Sequence, residues 1–264
     1  MTSSLQPRPR SSASDLPTQA VTQADAYARL AEVYDEIVVD QCYPQWAQYL
    51  HELWSTDDEP VRTVLDVCCG TGLMAQQLLA VGYSVTGTDA SQAMLDRART
   101  LLGSRVALIH ASLPSIGTTR LFDAAISTFD GLNYLTPDAF AASLHSIAGR
   151  LRAGGWLCFD LHTDAMLEFT LKNADITGED EGYRFTIHSD VEPLARTCDT
   201  SIDVRSAHDD SQFTEHHRQY FHSDEAVTLA LQTAGFGAIS VVDEYSPAPA
   251  TADSLRATWI ARRL

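Results

Sequence analysis

Asp66 stands inside the apolar run Val64-Leu65-Asp66-Val67, four residues before the first glycine of Cys68-Cys69-Gly70-Thr71-Gly72. A carboxylate there is costly to bury without a partner, and a ligand carrying an ammonium group supplies one. Apolar residues at helical spacing follow the loop at once: Leu73, Met74, Leu78 and Leu79. A strand feeding a glycine-rich turn and then a helix brings bare backbone up to a nucleotide-like ligand, and the helix N-terminus favours an anion. A second acid, Asp89, ends the strand-like segment Tyr83-Ser84-Val85-Thr86-Gly87-Thr88, 17 positions after Gly72. That interval is about one helix and one strand, and an acid at the end of a second strand accepts both hydrogen bonds of a ribose diol.

Two acids and a glycine loop therefore suit one ligand, with ammonium and carboxylate at one end and ribose and base at the other. S-adenosylmethionine fits that description. Gly70-Thr71-Gly72-Leu73-Met74-Ala75 also fits the dinucleotide pattern G-x-G-x-x-A, which keeps a nicotinamide-dependent oxidoreductase as an alternative. A pyrophosphate gives Asp66 no favourable role, and that weighs against it.

Asp-x-Cys-Cys-Gly-Thr-Gly followed by Gly87-Thr88-Asp89-Ala90-Ser91 resembles the first two motifs of class I S-adenosylmethionine-dependent methyltransferases, in particular the small-molecule subgroup typified by methyltransferase domain 25. Phe122 to Leu135 is similar to that subgroup's fourth-strand motif. Leu151-Arg152-Ala153-Gly154-Gly155 resembles its turn into strand five, with Ala153 where proline is usual. Tyr34-Asp35, Tyr43 and Trp46 resemble its leading helices, and Glu215 to Tyr220 with Ala234-Gly235-Phe236 resemble its later segments. The family's acid after strand three is absent, because His110-Ala111-Ser112-Leu113 offers only a hydroxyl. The resemblance implies donor contacts at Tyr34, Trp46, Asp66, Cys68, Gly70, Thr71, Gly72, Asp89, Ala90, Met94, Ser112, Leu113 and Phe129.

Those residues need a scaffold, and the chain supplies an alternating one. Its 264 residues, 45% of them hydrophobic, suffice for one large domain. Residues 1–20 are rich in Ser, Pro, Thr, Gln and Arg without periodicity, which predicts a disordered tail. Residues 21–264 are expected to form the methyltransferase domain. Helices over 26–39 and 44–54 lie within its leading cover at 21–55. Strands are expected at 63–67, 84–89, 106–110, 122–128 and 156–161. Helices lie between them: one over 72–81, one capped by Ser91, and one begun by Thr136-Pro137 and stopped at Gly154-Gly155. That rhythm predicts a Rossmann-like α/β fold, a doubly wound, seven-stranded, mostly parallel sheet with helices on both faces. It breaks after strand five into three alternating strands, 183–191, 195–207 and 212–222, read as an antiparallel β insertion over 180–222 that lids the crevice. A helix capped by Ser223 and strands at 239–243 and 256–261 complete the sheet.

A formal net charge of −17 repels phosphate backbones and anionic lipid, so nucleic acid and membrane are not expected partners. Five cysteines without paired spacing predict neither a disulfide framework nor a metal site. With no signal-peptide core and no apolar run long enough to span a bilayer, a cytoplasmic monomer or homodimer acting on a small molecule is the expectation. Methyl transfer from a sulfonium is a direct displacement, and an amine acceptor asks least of the site. Oxygen or carbon acceptors need a base. His162, just past strand five, is the candidate base, and Asp130 the candidate partner for an ammonium substrate. Tyr134, Arg218 and Tyr220 are candidate substrate contacts. A protein that binds the donor without transferring methyl remains the alternative from another class.

Overall fold

The computed structural model describes residues 27–37, 42–180, 182–209 and 211–264. The expected tail at 1–20, the start of the cover at 21–26, and Val38 and Val39 of the expected first helix lie outside these.

Five parallel strands carry the fold: β1 (Thr63–Val67), β2 (Ser84–Asp89), β3 (Ala107–His110), β4 (Phe122–Ser127) and β5 (Leu151–His162). With β10 (Phe236–Asp243) and β11 (Arg256–Arg263) they form one seven-stranded sheet in the order β10-β11-β5-β4-β1-β2-β3. β11 runs antiparallel to both neighbours. The order reverses beside β1, and ligands in such sheets sit beyond the strand C-termini at that switch point. The helices α3 (Leu73–Val81), α4 (Gln92–Leu102), α5 (Pro137–Ala148) and α7 (Asp224–Thr233) cover the two faces with α2 (Tyr43–Trp54). Apolar residues fill two clusters, one on each face: Leu65, Phe159 and Trp259 belong to one, Val64, Ile126 and Trp54 to the other.

Several boundaries follow from local chemistry. The Ser91 hydroxyl accepts from the Met94 N–H and starts α4. Thr136, with Pro137 in the first turn, starts α5, and the Ser223 hydroxyl accepts from the Ala226 N–H to start α7.

Three expectations need correction. Helix α5 ends at Ala148, and Gly154-Gly155 lies inside β5 rather than stopping the helix. A Cβ on Gly155 would come within 2.9 Å of the Arg152 carbonyl oxygen and 3.1 Å of that of Asp123. The pair serves the irregular β4–β5 pairing, which shifts register between Phe122 and Ala124. The insertion is larger than expected. A helix, α6 (Asp164–Lys172), precedes four antiparallel strands: β6 (Asp175–Asp180), β7 (Tyr183–Glu192), β8 (Thr197–Ser206) and β9 (Gln212–Tyr220). Thr163 caps α6, and β6 is an edge strand with mostly exposed side chains, so neither carries a strong apolar signal. The leading segment is a 3₁₀ turn at Leu30–Glu32 followed by α1 (Tyr34–Ile37), not one continuous helix. This segment packs Leu30 and Val33 against Val204, Phe185 and Phe213 of the second sheet, so cover and insertion share a small core of their own.

Candidate active site

The chain leaves β1 through Cys68 at φ +58° and turns through Gly70 at +52° and Gly72 at +86°. Left-handed backbone of this kind suits glycine. A Cβ on Gly72 would lie 2.7 Å from the Leu102 Cδ1, so the loop also needs glycine to seat α3 against α4. At Gly70 no atom lies within 4 Å of such a Cβ, because the residue borders an open cleft.

That cleft, part of its roughly 700 Å³ open to solvent, lies between the glycine loop, the ends of β2 and β4, and the leading segment. Of the expected donor contacts, Tyr34, Cys68, Gly70, Thr71, Asp89, Ala90, Met94 and Phe129 line it. Gly72 serves as the N-cap of α3. Trp46 is buried behind the wall, its ring 5.1 Å from that of Phe129 and stacked on Tyr245 at 4.6 Å. Ser112 is exposed, Leu113 packs against the core, and neither is among the cleft's walls.

Asp89 is held in place before any ligand arrives. Its Oδ2 accepts from the Gly70 N–H at 2.9 Å and its Oδ1 from the Ser91 N–H at 2.8 Å. Burial raises its pKa against the opposing pull of those bonds. Each oxygen keeps lone-pair capacity for a further donor. Asp66 is different. It is wholly buried, and neither carboxylate oxygen has a hydrogen-bond partner. Burial, reinforced by the charge of Asp89, pushes its pKa up to about 8. An orphaned buried carboxylate beneath a glycine loop fits an incoming ammonium group. Thr71 ties the cover to this loop by donating to Asp35 Oδ1 at 2.7 Å.

The candidate base and ammonium partner lie elsewhere. His162 and Asp130 do not line the cleft; they belong to a buried ion cluster behind Phe129. Arg256 lies 3.0 Å from Asp130 Oδ1, Asp160 Oδ2 and Glu244 Oε1, and its guanidinium sits 4.7 Å over the Phe129 ring. His162 Nε2 is 3.4 Å from Asp130 Oδ1, and Gln219 donates to the other oxygen. Burial would raise the pKa of Asp130, but His162 and then Arg256 outweigh it and hold the group down at about 2. Asp160 is instead pushed up to about 6, by burial above all, against the pull of Arg256. With Asp130 already satisfied by three side chains, the cluster's evident task is to fix the turn at Phe129 (φ +61°) and Asp130 (φ +49°) that walls the cleft.

Arg218 also departs from expectation. It pairs in two contacts of 2.6 Å with Asp199 across the sheet, away from the cleft, and Tyr220 is likewise outside the lining. Strand β9 turns its other face inward, carrying Phe213, Glu215, His217 and Gln219. Tyr134 does line the cleft, and its hydroxyl is 2.7 Å from that of Tyr27 and 3.0 Å from His217 Nδ1. Tyr27, Tyr43, Glu215 and His217 were missed as site residues. The signal for the last two was the parity they share with the apolar Phe213.

A seven-stranded sheet of this order, with an acid inside β1, a glycine loop after it and an acid ending β2, is a Rossmann-like α/β fold. Residues 64–155 match the methyltransferase domain family. The putative methyltransferase YqeM of Bacillus subtilis (strain 168) is 27% identical over 243 residues, covering 90% of this chain and 97% of that one. A ubiquinone biosynthesis O-methyltransferase of Nitrosomonas europaea is 31% identical over 102 residues, 37% of this chain and 43% of the relative. Among solved structures, an S-adenosylmethionine-dependent methyltransferase of Clostridium acetobutylicum superposes with TM-score 0.80 at 22% identity, over 90% of this chain and 98% of that one. The sugar N-methyltransferase KedS8 of Streptoalloteichus shares the fold with TM-score 0.70 at 17% identity, covering 100% and 98%. The domain match and these likenesses support a class I S-adenosylmethionine-dependent methyltransferase.

Proposed function

We propose that the enzyme methylates the nitrogen of a small amine. The observation that carries this reading is the composition of the cleft. Among the described residues its lining holds one carboxylate, Asp89, the rings of Tyr27, Tyr34, Tyr43, Phe129 and Tyr134, and no Lys, Arg or His. Such a wall attracts cations through ring faces and sets no cationic side chain against an anionic acceptor, each cation–ring contact being worth about 0.5–2 kcal/mol. The net charge of −17 acts in the same direction at longer range. The likeness in fold to a sugar N-methyltransferase is compatible with an amine acceptor. The O-methyltransferase relative aligns over a minority of this chain.

When bound, S-adenosylmethionine supplies a methyl carbon on a cationic sulfur that leaves without further activation. Asp66 would hold its ammonium group. The Gly70–Gly72 backbone and the start of α3 would hold its carboxylate, and Asp89 its ribose hydroxyls. Thr71 keeps the cover closed over the loop through Asp35. Phe129, braced by Arg256 and Trp46, keeps the wall rigid. These residues act by alignment and exclusion of water, which in favourable cases lowers a barrier by roughly 7–11 kcal/mol.

A panel of primary and secondary amines, phenols and carboxylic acids of similar size, incubated with methyl-labelled donor, tests the reading. Label on nitrogen is the expected result. Label confined to oxygen, with the amines inert, refutes it.

A further inference from the structure

A line of polar side chains runs from the cleft wall into the interior, and the binding of donor and acceptor gives it no task. Tyr27 and Tyr134 both face the cleft. Behind them lies His217, which is 4% exposed, and behind it Glu215, which is 7% exposed. Hydrogen bonds of 2.7 Å between the tyrosine hydroxyls and 3.0 Å between Tyr134 and His217 Nδ1 lead inward, and His217 Nε2, which makes no hydrogen bond, faces Glu215 Oε2 at the longer distance of 3.4 Å. Glu215 also accepts from the backbone N–H groups of Tyr27 (2.9 Å), Leu30 (2.8 Å) and Arg29.

The polarity of this line follows from its inner end. A carboxylate taking three backbone donors is ionised and can only accept. Although burial opposes it, the pKa of Glu215 is indeed lowered, by His217 first and then by the Leu30 and Arg29 bonds. The Nε2 of His217 therefore carries a proton toward Glu215, which leaves Nδ1 of the neutral ring as an acceptor. Tyr134 must then donate to Nδ1, and Tyr27 to Tyr134. Every hydroxyl proton points inward, and the lone pairs of the Tyr27 oxygen are left facing the cleft.

We propose that Tyr27, Tyr134, His217 and Glu215 form the proton outlet of the acceptor site. An ammonium acceptor gives its proton to the Tyr27 oxygen. The Tyr27 proton moves to Tyr134, and the Tyr134 proton to His217 Nδ1. The acceptor becomes a neutral amine with a free electron pair, both tyrosines end neutral, and the positive charge resides on an imidazolium beside the Glu215 carboxylate. Tyr27 is the catalytic residue of the set, and the other three act through it. This assignment rests on the acceptor being bound at the tyrosine end of the cleft. It holds for any acceptor that must shed a proton.

Two measurements test it. Long-range proton–nitrogen correlation spectra of the protein labelled with nitrogen-15 histidine, read with S-adenosylhomocysteine added at pH 7.5, should show His217 neutral with its proton on Nε2. A proton on Nδ1, or on both nitrogens, overturns the proposal. In the second, Tyr27→Phe and His217→Phe, which keep ring packing, are compared with wild type on labelled methyl transfer. The acceptors are amines or phenols of graded basicity, whichever the enzyme methylates. Glu215 is left intact because its carboxylate also anchors the leading segment. On strongly basic amines, which arrive protonated, the rate should fall at least roughly 10²-fold. On weakly basic amines, neutral at pH 7.5, it should stay within about threefold of wild type. For phenols the loss should instead grow as the phenol becomes less acidic. His216→Phe, on the outward face of β9, is the control and should change neither. An equal loss across the series assigns the residues to packing and overturns the outlet. So does methylation confined to acceptors with no proton to lose, such as thioethers and tertiary amines. Transfer to phenols alone, with the graded pattern intact, refutes the amine reading and sustains the outlet.

Discussion

Replacing Asp66 with Asn should stabilise the ligand-free enzyme while crippling donor binding. The Asp66 carboxyl is wholly buried, without partners, and its pKa is pushed from 3.8 to about 8. Between those values the unfolded chain has released the proton and the folded chain still holds it, so stability falls as pH rises. At pH 7 the gap is about three pH units, or up to about 4 kcal/mol against folding at about 1.36 kcal/mol per unit. Asn carries no such penalty. For a chain of this size each kcal/mol moves the midpoint by about 2–4 °C, so Asp66→Asn should melt up to roughly 16 °C higher at pH 7. The difference should close toward pH 4. Donor binding should respond in the opposite sense. Removing one partner of a buried ion pair costs about 3–5 kcal/mol, or roughly 10²- to 10³-fold in affinity. Wild type should also release close to one proton per donor bound at pH 7, since Asp66 must ionise to meet the ammonium, and the variant none. Donor affinity should peak near pH 8, where Asp66 is ionised and the donor's amino group, with an ordinary pKa of about 8, still holds its proton. Differential scanning calorimetry and titration calorimetry in buffers of different ionisation enthalpy read all of this. A variant that binds S-adenosylmethionine as tightly as wild type, or that melts no higher at pH 7, refutes the assignment of Asp66.

Other expectations follow from neighbouring groups. Asp89→Ala should weaken S-adenosylmethionine at least tenfold by titration, and it also strips the Gly70 and Ser91 N–H groups of their acceptor; unchanged affinity would remove Asp89 as the ribose contact. Arg256→Met strands two buried carboxylates, Asp130 and Asp160, and should cost about 3–5 kcal/mol in urea denaturation at pH 7. Asp130, held down at about 2, contributes stability above its unfolded value of 3.8 that is lost as pH falls toward 2, so the Arg256 effect should shrink in acid. His162→Ala should lower stability and reduce kcat less than tenfold, because His162 faces Asp130 and not the cleft; a hundredfold loss would restore it as the base.

The glycine-loop end of the candidate site was legible because its parts are local. Strands β1 and β2 end where expected, at Val67 and Asp89, because each is closed by a glycine loop or by a capped helix. The acceptor half is built by contacts between segments remote in sequence. Tyr27 meets Glu215 across 188 positions, and Tyr134 meets His217 across 83. Alternation along β9 separates two faces of a strand, but only the packing of Phe213 on the cover decides which face is inward. His162 lies away from the cleft for a related reason. It was expected just past strand five and is the last residue of β5, whereas the arginine that claims its neighbours lies on β11. The polar edge strand β6 and the glycine pair inside β5 escaped because neither shows the alternation that marks a strand.

The most direct test is a crystal structure with sinefungin, a donor analogue that carries an amine where the transferable methyl group would stand. The account predicts its amino-acid end on Gly70 with the ammonium toward Asp66, its ribose on Asp89, and the added amine within hydrogen-bonding distance of the Tyr27 hydroxyl. A ligand whose ribose leaves Asp89 free, or whose amine points away from Tyr27 and Tyr134, would contradict it.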